Sequence, residues 1–409
     1  MRQAEKLCSA SGTLTVLTPD TTYSTNLPPR SITRLQVMHG AQTPYLQAQM
    51  KQLKTLISAL LLASIQAATI KTHALTLSIA DKTLCAAAAK AHNQYSSLNA
   101  GKNADYIPIL AKVPSDLFAI SIATAGGLTV SVGDSDSVFT IQSLAKPFTA
   151  ALLMEQRGSE FLLDKINVEP TGQPFNSKLA LELLPSHTGN PLVNAGAIAT
   201  VSQINANSET ERWKIIHENM NNFAGRKLPL IDEAFRSEYN NAENNRALAY
   251  MLESYNKLGS TPEEALKVYT KQGAIGITSL DLSLMGATLA NGGIHPWSKR
   301  RLLNKKNVAR LLAIMAMNGL YTDSGAWQFT VGLPSKSGVG GGILSIIPGK
   351  FAIAAFSPRL NQAGNSIRAM RAIESISNDL NLNIYTGSNS SIKENYSHID
   401  LNACTFKSN

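Results

Sequence analysis

The chain carries β-rich runs on both sides of a long helical stretch, and this separation constrains its fold more than any other feature. Leu117 to Val132 (LFAISIATAGGLTVSV) is rich in β-branched and small apolar residues and is broken by Gly126-Gly127, the pattern of a hairpin. Val331 to Ser357 (VGLPSKSGVGGGILSIIPGKFAIAAFS) alternates short apolar runs with glycines, the pattern of further antiparallel strands. Between them, residues 170–300 read mostly as helices punctuated by Gly, Pro and Asn. Helices are also expected from about Ser143, where Leu144, Phe148, Leu152 and Leu153 recur at helical spacing, over 301–317, and over Gly364 to Leu380. This order predicts an α+β fold: an antiparallel sheet flanked by helices, with a helical subdomain inserted at about 150–300. The folded part is expected over 75–385, and the Ser/Asn-rich stretch 386–409 as a loose tail. Apolar residues make up 44% of the 409 and charged residues 16%, so the chain has the material for a sizeable core.

Residues 1–49 are rich in Ser, Thr, Pro and Gln and show no sustained apolar period, so they are expected to be disordered or an untranslated extension. Met50 opens a different pattern. Lys51 and Lys54 precede a ten-residue apolar run, Leu56 to Ile65, followed by Gln66, Ala67 and Ala68. This is the layout of a secretory signal peptide over 50–68, and it is too short for a stable membrane span. A signal must sit at the N-terminus, so the reading requires a start at Met50 or tolerance of the first 49 residues. If the segment acts as a signal, the protein is periplasmic or secreted; otherwise it is cytoplasmic.

The net charge of +9 does not point to a nucleic acid. Seven basic against two acidic side chains in residues 1–72 account for +5 of it, and the remainder shows no basic stripe or nucleic-acid motif. Cys8, Cys85 and Cys404 are too far apart to spell a zinc pattern or a disulfide framework. The seven histidines form no H-x-x-x-H pair, so a metal site built on that motif is not expected.

Two short patterns can carry chemistry. In Ser143-Leu-Ala-Lys146 the serine and lysine share a face of a helical turn, and a partly desolvated lysine can serve as the serine's base. A helix start adds N–H donors and partial positive charge for a developing oxyanion. S-x-x-K alone is weak evidence: Ser254–Lys257 and Ser390–Lys393 show it too, in polar surroundings. Ser143 differs in following a strand-like run, Val138 to Ile141, and opening an apolar helix. The second pattern is Lys336-Ser337-Gly338 with Val339 and Gly340-Gly341-Gly342 after it. S-x-x-K followed by K-S-G is the order of penicillin-recognising serine enzymes, and a glycine-rich strand offers backbone donors close to a substrate.

Eight collinear segments resemble the glutaminase family: FTIQSLAKPFT (139–149), VEPTGQPFNS (168–177), NPLVNAGAI (190–198), SEYNNAENNRALA (237–249), LANGG (289–293), GLYTDSGAW (319–327), GLPSKSGVGGGI (332–343) and SPRLNQAGNS (357–366). The resemblance runs from Tyr106 to the helix near Leu380. It implies a β-lactamase/transpeptidase-like fold, hydrolysis of L-glutamine to L-glutamate and ammonia, no metal or organic cofactor, and a homodimer or homotetramer. It implies Ser143 as nucleophile, Lys146 as base and Tyr321 as a further catalytic group. Tyr106, Asn194, Glu238, Asn245, Tyr269, Tyr321 and the backbone of Val339 match the family's substrate-binding positions.

The residue chemistry suits those roles. Glutamine is a zwitterion with a primary amide: a carboxylate such as Glu238 can pair with the α-ammonium, while Asn194 and Asn245 can bond its carboxylate or amide. Glu238 and Asn245 are seven residues apart, which would put them on one wall of a single helix. Pro147 and Gly273-Ala274 depart from the family's usual residues. Proline is tolerable in a first helical turn, and neither change removes a catalytic group. A β-lactamase or penicillin-binding peptidase would share both patterns, but no S-D-N triplet lies between them. A non-catalytic binding protein on the same fold would be expected to have lost Ser143 or Lys146, and both are intact.

Overall fold

The central sheet is covered on both faces, and its strand sequences reflect that. In the computed structural model, which describes residues 79–386 and 401–408, six strands form one antiparallel sheet. They are β1 (Ala119–Thr124), β2 (Thr129–Gly133), β3 (Ser335–Ser337), β4 (Gly342–Ile347), β5 (Phe351–Phe356) and β6 (Thr405–Lys407), in the order β3-β4-β5-β1-β2-β6. The two distant β-rich regions meet where β1 pairs with β5, from Ala119↔Phe356 to Thr124↔Phe351. Gly127 closes the β1–β2 turn at φ +104°, a conformation that glycine adopts without steric cost.

Successive residues along a strand serve opposite cores. Ile343, Ile347, Phe351 and Ile353 pack with α1 (Ile79–Tyr95) and with the last long helix, Ile367–Leu380. Leu344, Ile346, Ala352, Ala354 and Phe356 face a second core, which they share with the helices inserted between β2 and β3. Burying one such side chain contributes roughly 1.5–3 kcal/mol, so two full cores outweigh any local propensity. The inserted helices are α2 (Lys146–Arg157), α3 (Asn194–Ser202), α4 (Glu209–Ala224), α5 (Asp232–Tyr239), α6 (Glu243–Ser254), α7 (Pro262–Gly273), α8 (Ser279–Ala290) and α9 (Lys305–Asn318), with shorter pieces between; Ile367–Leu380 is then α10. Helix α8 lies against the sheet at Gly286, where a β-carbon would come within 2.5 Å of Leu344 Cδ1 and 2.7 Å of the Ala352 β-carbon. The fold is thus the expected antiparallel sheet flanked by helices with a helical insertion.

Three expectations need correction. The helix expected at Ser143 is a single 3-10 turn, Gln142–Ala145, and the α-helix begins at Lys146. The end of the chain is not loose over 401–408: β6 pairs with β2 through Thr129↔Lys407, Val130↔Phe406 and Ser131↔Thr405. Cys404, just before β6, is disulfide-bonded to Cys85 on α1. These cysteines are 319 residues apart in sequence and 6.0 Å apart at Cα, a proximity that the tertiary fold creates and spacing cannot show. The extension 1–49 and the signal-like segment 50–68 lie outside the described residues, as does 387–400. Among the described residues no helix is long and apolar enough to cross a membrane.

Candidate active site

The segment leading to Ser143 is fixed before it reaches the serine. Phe139 and Thr140 pair with Ile277 and Gly276 in a two-residue ladder. The chain then turns through Gln142, whose φ of +48° is a left-handed conformation that a non-glycine residue holds only where its surroundings over-determine it. Gln142 is buried, and its Nε2 donates to Glu238 Oε2 at 3.0 Å. Ser143 follows in the 3-10 turn, three residues before Lys146 at the start of α2. Pro147 sits in the first turn of α2, where its missing N–H costs no helical bond.

Lys146 is 2% exposed. Its Nζ donates to Asn194 Oδ1 at 2.7 Å and to the Leu192 carbonyl at 3.5 Å, and makes no hydrogen bond to Ser143. Asn194, the first residue of α3, donates from Nδ2 to Asn245 Oδ1 at 2.9 Å. The ammonium also lies 5.8 Å from the Tyr269 ring centroid. Burial pulls Lys146 down to about 7, against the opposing pull of Glu238, so a large fraction of the amine is neutral near neutral pH. Burial likewise pushes Glu238 up to about 7, opposed by the Gln142 hydrogen bond and by Lys146. Glu238 is half-buried as a residue, but its carboxylate lines the same small cavity as Ser143, Lys146 and Gly273.

Glu238 and Asn245 do not share a helix. Glu238 is in the last turn of α5 and Asn245 in the first turn of α6, and the break between these helices brings both to one cavity. That cavity, of about 100 Å³, is also lined by Tyr106, Ser143, Asn194, Tyr269 and Val339. Tyr106 is exposed at its mouth, whereas Tyr269 is buried. Burial pushes the Tyr269 phenol well above its usual range. A more open hollow of about 1010 Å³ adjoins the mouth through Tyr106 and Phe175, but it lacks Ser143, Lys146 and Glu238.

The glycine-rich strand end closes the opposite wall. A β-carbon on Gly338 would lie 3.0 Å from the Ile141 carbonyl oxygen and 3.3 Å from Leu144 N, and one on Gly340 would lie 2.6 Å from the Thr140 carbonyl oxygen. The K-S-G segment therefore touches the backbone on both sides of Ser143. The N–H of Val339 has no acceptor among the described residues, which leaves it free for a substrate oxygen. Tyr321 is buried beside Ser143 at a left-handed φ of +57°. Burial pushes its phenol up to about 12, with the Ser143 and Ser337 hydroxyls opposing. Those hydroxyls are near enough to favour the phenolate, yet the Tyr321 hydroxyl makes no hydrogen bond of full geometry.

Of the residues expected from sequence, Tyr106, Ser143, Asn194, Glu238, Asn245, Tyr269 and Val339 line the cavity of about 100 Å³, Lys146 lines the small cavity beside it, and Tyr321 lies next to Ser143 outside both linings. Sequence reasoning missed Gln142, although it adjoins Ser143 in the chain, because its contact with Glu238 depends on a left-handed backbone that no residue type there announces. It also missed the cavity contributions of Phe175, Asn241 and Asn244, ordinary polar and aromatic residues whose position depends on tertiary packing.

A family model described as glutaminase matches residues 101–385. A glutaminase of Brucella canis is 50% identical over 290 residues, which cover 71% of this chain and 92% of that protein. Among solved structures, the probable glutaminase YbaS superposes with a TM-score of 0.73 at 46% identity, covering 75% of this chain and 99% of the other. Mglu in its glutamate form superposes with a TM-score of 0.70 at 38% identity, covering 73% of this chain and 69% of the other.

Proposed function

The chain belongs to the glutaminase family, and from that premise we propose how this site hydrolyses L-glutamine to L-glutamate and ammonia. Ser143 Oγ attacks the side-chain amide carbon and Lys146 takes the hydroxyl proton. The N–H of Val339, with that of Ser143, stabilises the oxyanion. Ammonia leaves with a proton from Tyr321 or Lys146. Water then attacks the glutamyl ester by the reverse proton path, so bonds and protons balance over the two steps. Glu238 holds the α-ammonium, and Asn194, Asn245, Tyr106 and Tyr269 bond the remaining polar atoms.

The observation that carries this reading is the buried amine of Lys146, which lines one small cavity with Ser143 and Glu238, while Ser143 and Glu238 also line the adjoining cavity of about 100 Å³ that would take one small amino acid. Mglu, a similar protein, has been solved with glutamate, the product this reaction releases. In the present geometry the amine is turned to Asn194, so the dyad closes by a side-chain movement of Lys146 when substrate competes for Asn194. The family resemblance further points to a homodimer or homotetramer, which sedimentation velocity measures.

Ammonia release from L-glutamine by the purified protein, assayed beside nitrocefin hydrolysis, tests the reading. Turnover of glutamine and none of nitrocefin is expected. Glutamine turnover unchanged in Ser143→Ala would overturn the mechanism.

A further inference from the structure

Lys336 has no part in the mechanism above, yet its side chain is fully buried. Burying an amine is costly, and the charged group that most affects it is Lys146, which repels it. Stability alone would favour an apolar side chain here, so what the amine touches matters. Nζ donates to the Gly319 carbonyl at 3.0 Å and to the Ser337 carbonyl at 2.7 Å, and it sits 4.0 Å from the centroid of the Tyr321 ring. The Gly319 carbonyl also accepts from the Ser337 N–H at 3.2 Å. One side chain thus ties the turn carrying Tyr321 to strand β3 and presses on the tyrosine's face.

Tyr321 needs such support. Its backbone is left-handed, and its hydroxyl, although close to those of Ser143 and Ser337, makes no hydrogen bond of full geometry to anchor the ring tip. Packing holds the ring: Lys336 lies on its face, and Phe175 packs with ring centroids 4.8 Å apart. We propose that Lys336 is a positioning residue, whose buried amine locks the Gly319–Tyr321 turn so that the Tyr321 hydroxyl stays beside Ser143. The inference rests on the catalytic reading of Tyr321 given above.

A double-mutant cycle on the full chain tests it, reading kcat and KM for ammonia release from glutamine in Tyr321→Phe, Lys336→Met and the double variant, with near-UV circular dichroism as the control for folding. Tyr321→Phe is expected to lower kcat by about 100-fold, in the range for loss of a proton-transfer group. Lys336→Met is expected to lower kcat by about tenfold or more with KM changed less than about threefold, and to add less than about threefold in the Tyr321→Phe background. Lys336→Gln, which keeps a donor, is expected to fall between Lys336→Met and the wild type. Multiplying effects in the double variant, or wild-type kcat in Lys336→Met, would overturn the inference while leaving the role of Tyr321 intact. Wild-type kcat in Tyr321→Phe would remove that role, and this inference with it. Failure of both Lys336 variants to fold would assign the lysine to folding instead and equally overturn the proposal.

Discussion

Lys146 Nζ donates to Asn194 Oδ1 at 2.7 Å, and Asn194 Nδ2 donates in turn to Asn245 Oδ1 at 2.9 Å. The proposed base and two residues proposed to bind substrate therefore form one chain of hydrogen bonds. A change at Asn194 should be felt in the titration of Lys146. Asn194→Asp would set a carboxylate against the amine, stabilise the ammonium and raise its pKa. The rising limb of kcat/KM against pH is expected to move to higher pH by about one unit or more. An unmoved limb would remove Lys146 from the role of base.

In the wild type, kcat/KM is expected to rise with pH through about 7, because Lys146 becomes neutral there and Glu238 becomes ionised there. Both changes favour the active form, and the limb belongs to the coupled pair rather than to either residue. Stability follows a different course. The lowered pKa of Lys146 means the folded chain binds fewer protons than the unfolded one between about 7 and 10.5, so this group's contribution grows as pH rises through that window. The raised pKa of Glu238 works the other way, and its contribution is lost as pH rises from 4.5 through about 7. Replacing Lys146 by Met should therefore flatten the gain in Tm between pH 7.5 and 9.5, as differential scanning fluorimetry would record. An identical slope in both proteins would contradict the buried-amine description.

Glu238→Gln removes the carboxylate proposed to meet the α-ammonium and keeps its shape. A charge-assisted hydrogen bond contributes roughly 1.5–3 kcal/mol, so KM for glutamine is expected to rise by about 10- to 100-fold, more than kcat falls. Steady-state kinetics decide this. A large loss in kcat at constant KM would place Glu238 in the chemistry instead.

The sheet was legible because its strands alternate with glycine breaks, and period-2 burial on two faces leaves few other foldings for Leu117–Val132 and Val331–Ser357. The turn carrying the proposed nucleophile was legible as Ser143-x-x-Lys146, whose i,i+3 spacing serves a 3-10 turn and an α-helix alike. The polar wall was less so. Glu238 and Asn245 suit one helix by spacing, but a break at 240–242 splits it, and only the packing of α5 and α6 around the cavity reunites them. Least visible were the strained positions, Gln142 and Tyr321, because left-handed backbone at a non-glycine residue reflects the whole surrounding structure. The Cys85–Cys404 bond escaped for the same reason: it records where two distant segments meet.

That bond gives the last prediction. Strand β6 is an edge strand three residues long, too short to hold itself in place through its pairing with β2 alone. The disulfide closes a loop with a separation of 319 residues, which the chain-entropy model values at about 6 kcal/mol as an upper figure. Reduction by a dithiol, or Cys404→Ser, is expected to lower Tm by about 5 °C or more. Activity below the transition should change less than about twofold, because β6 and β3 are at opposite edges of the sheet and the site is built on the β3 side. Thermal melts and initial rates on oxidised and reduced protein check both halves. An unchanged Tm would mean that the pairing of β6 with β2 does not depend on the tether. A collapse of kcat well below the transition would mean instead that the terminal strand acts on the site across the whole width of the sheet.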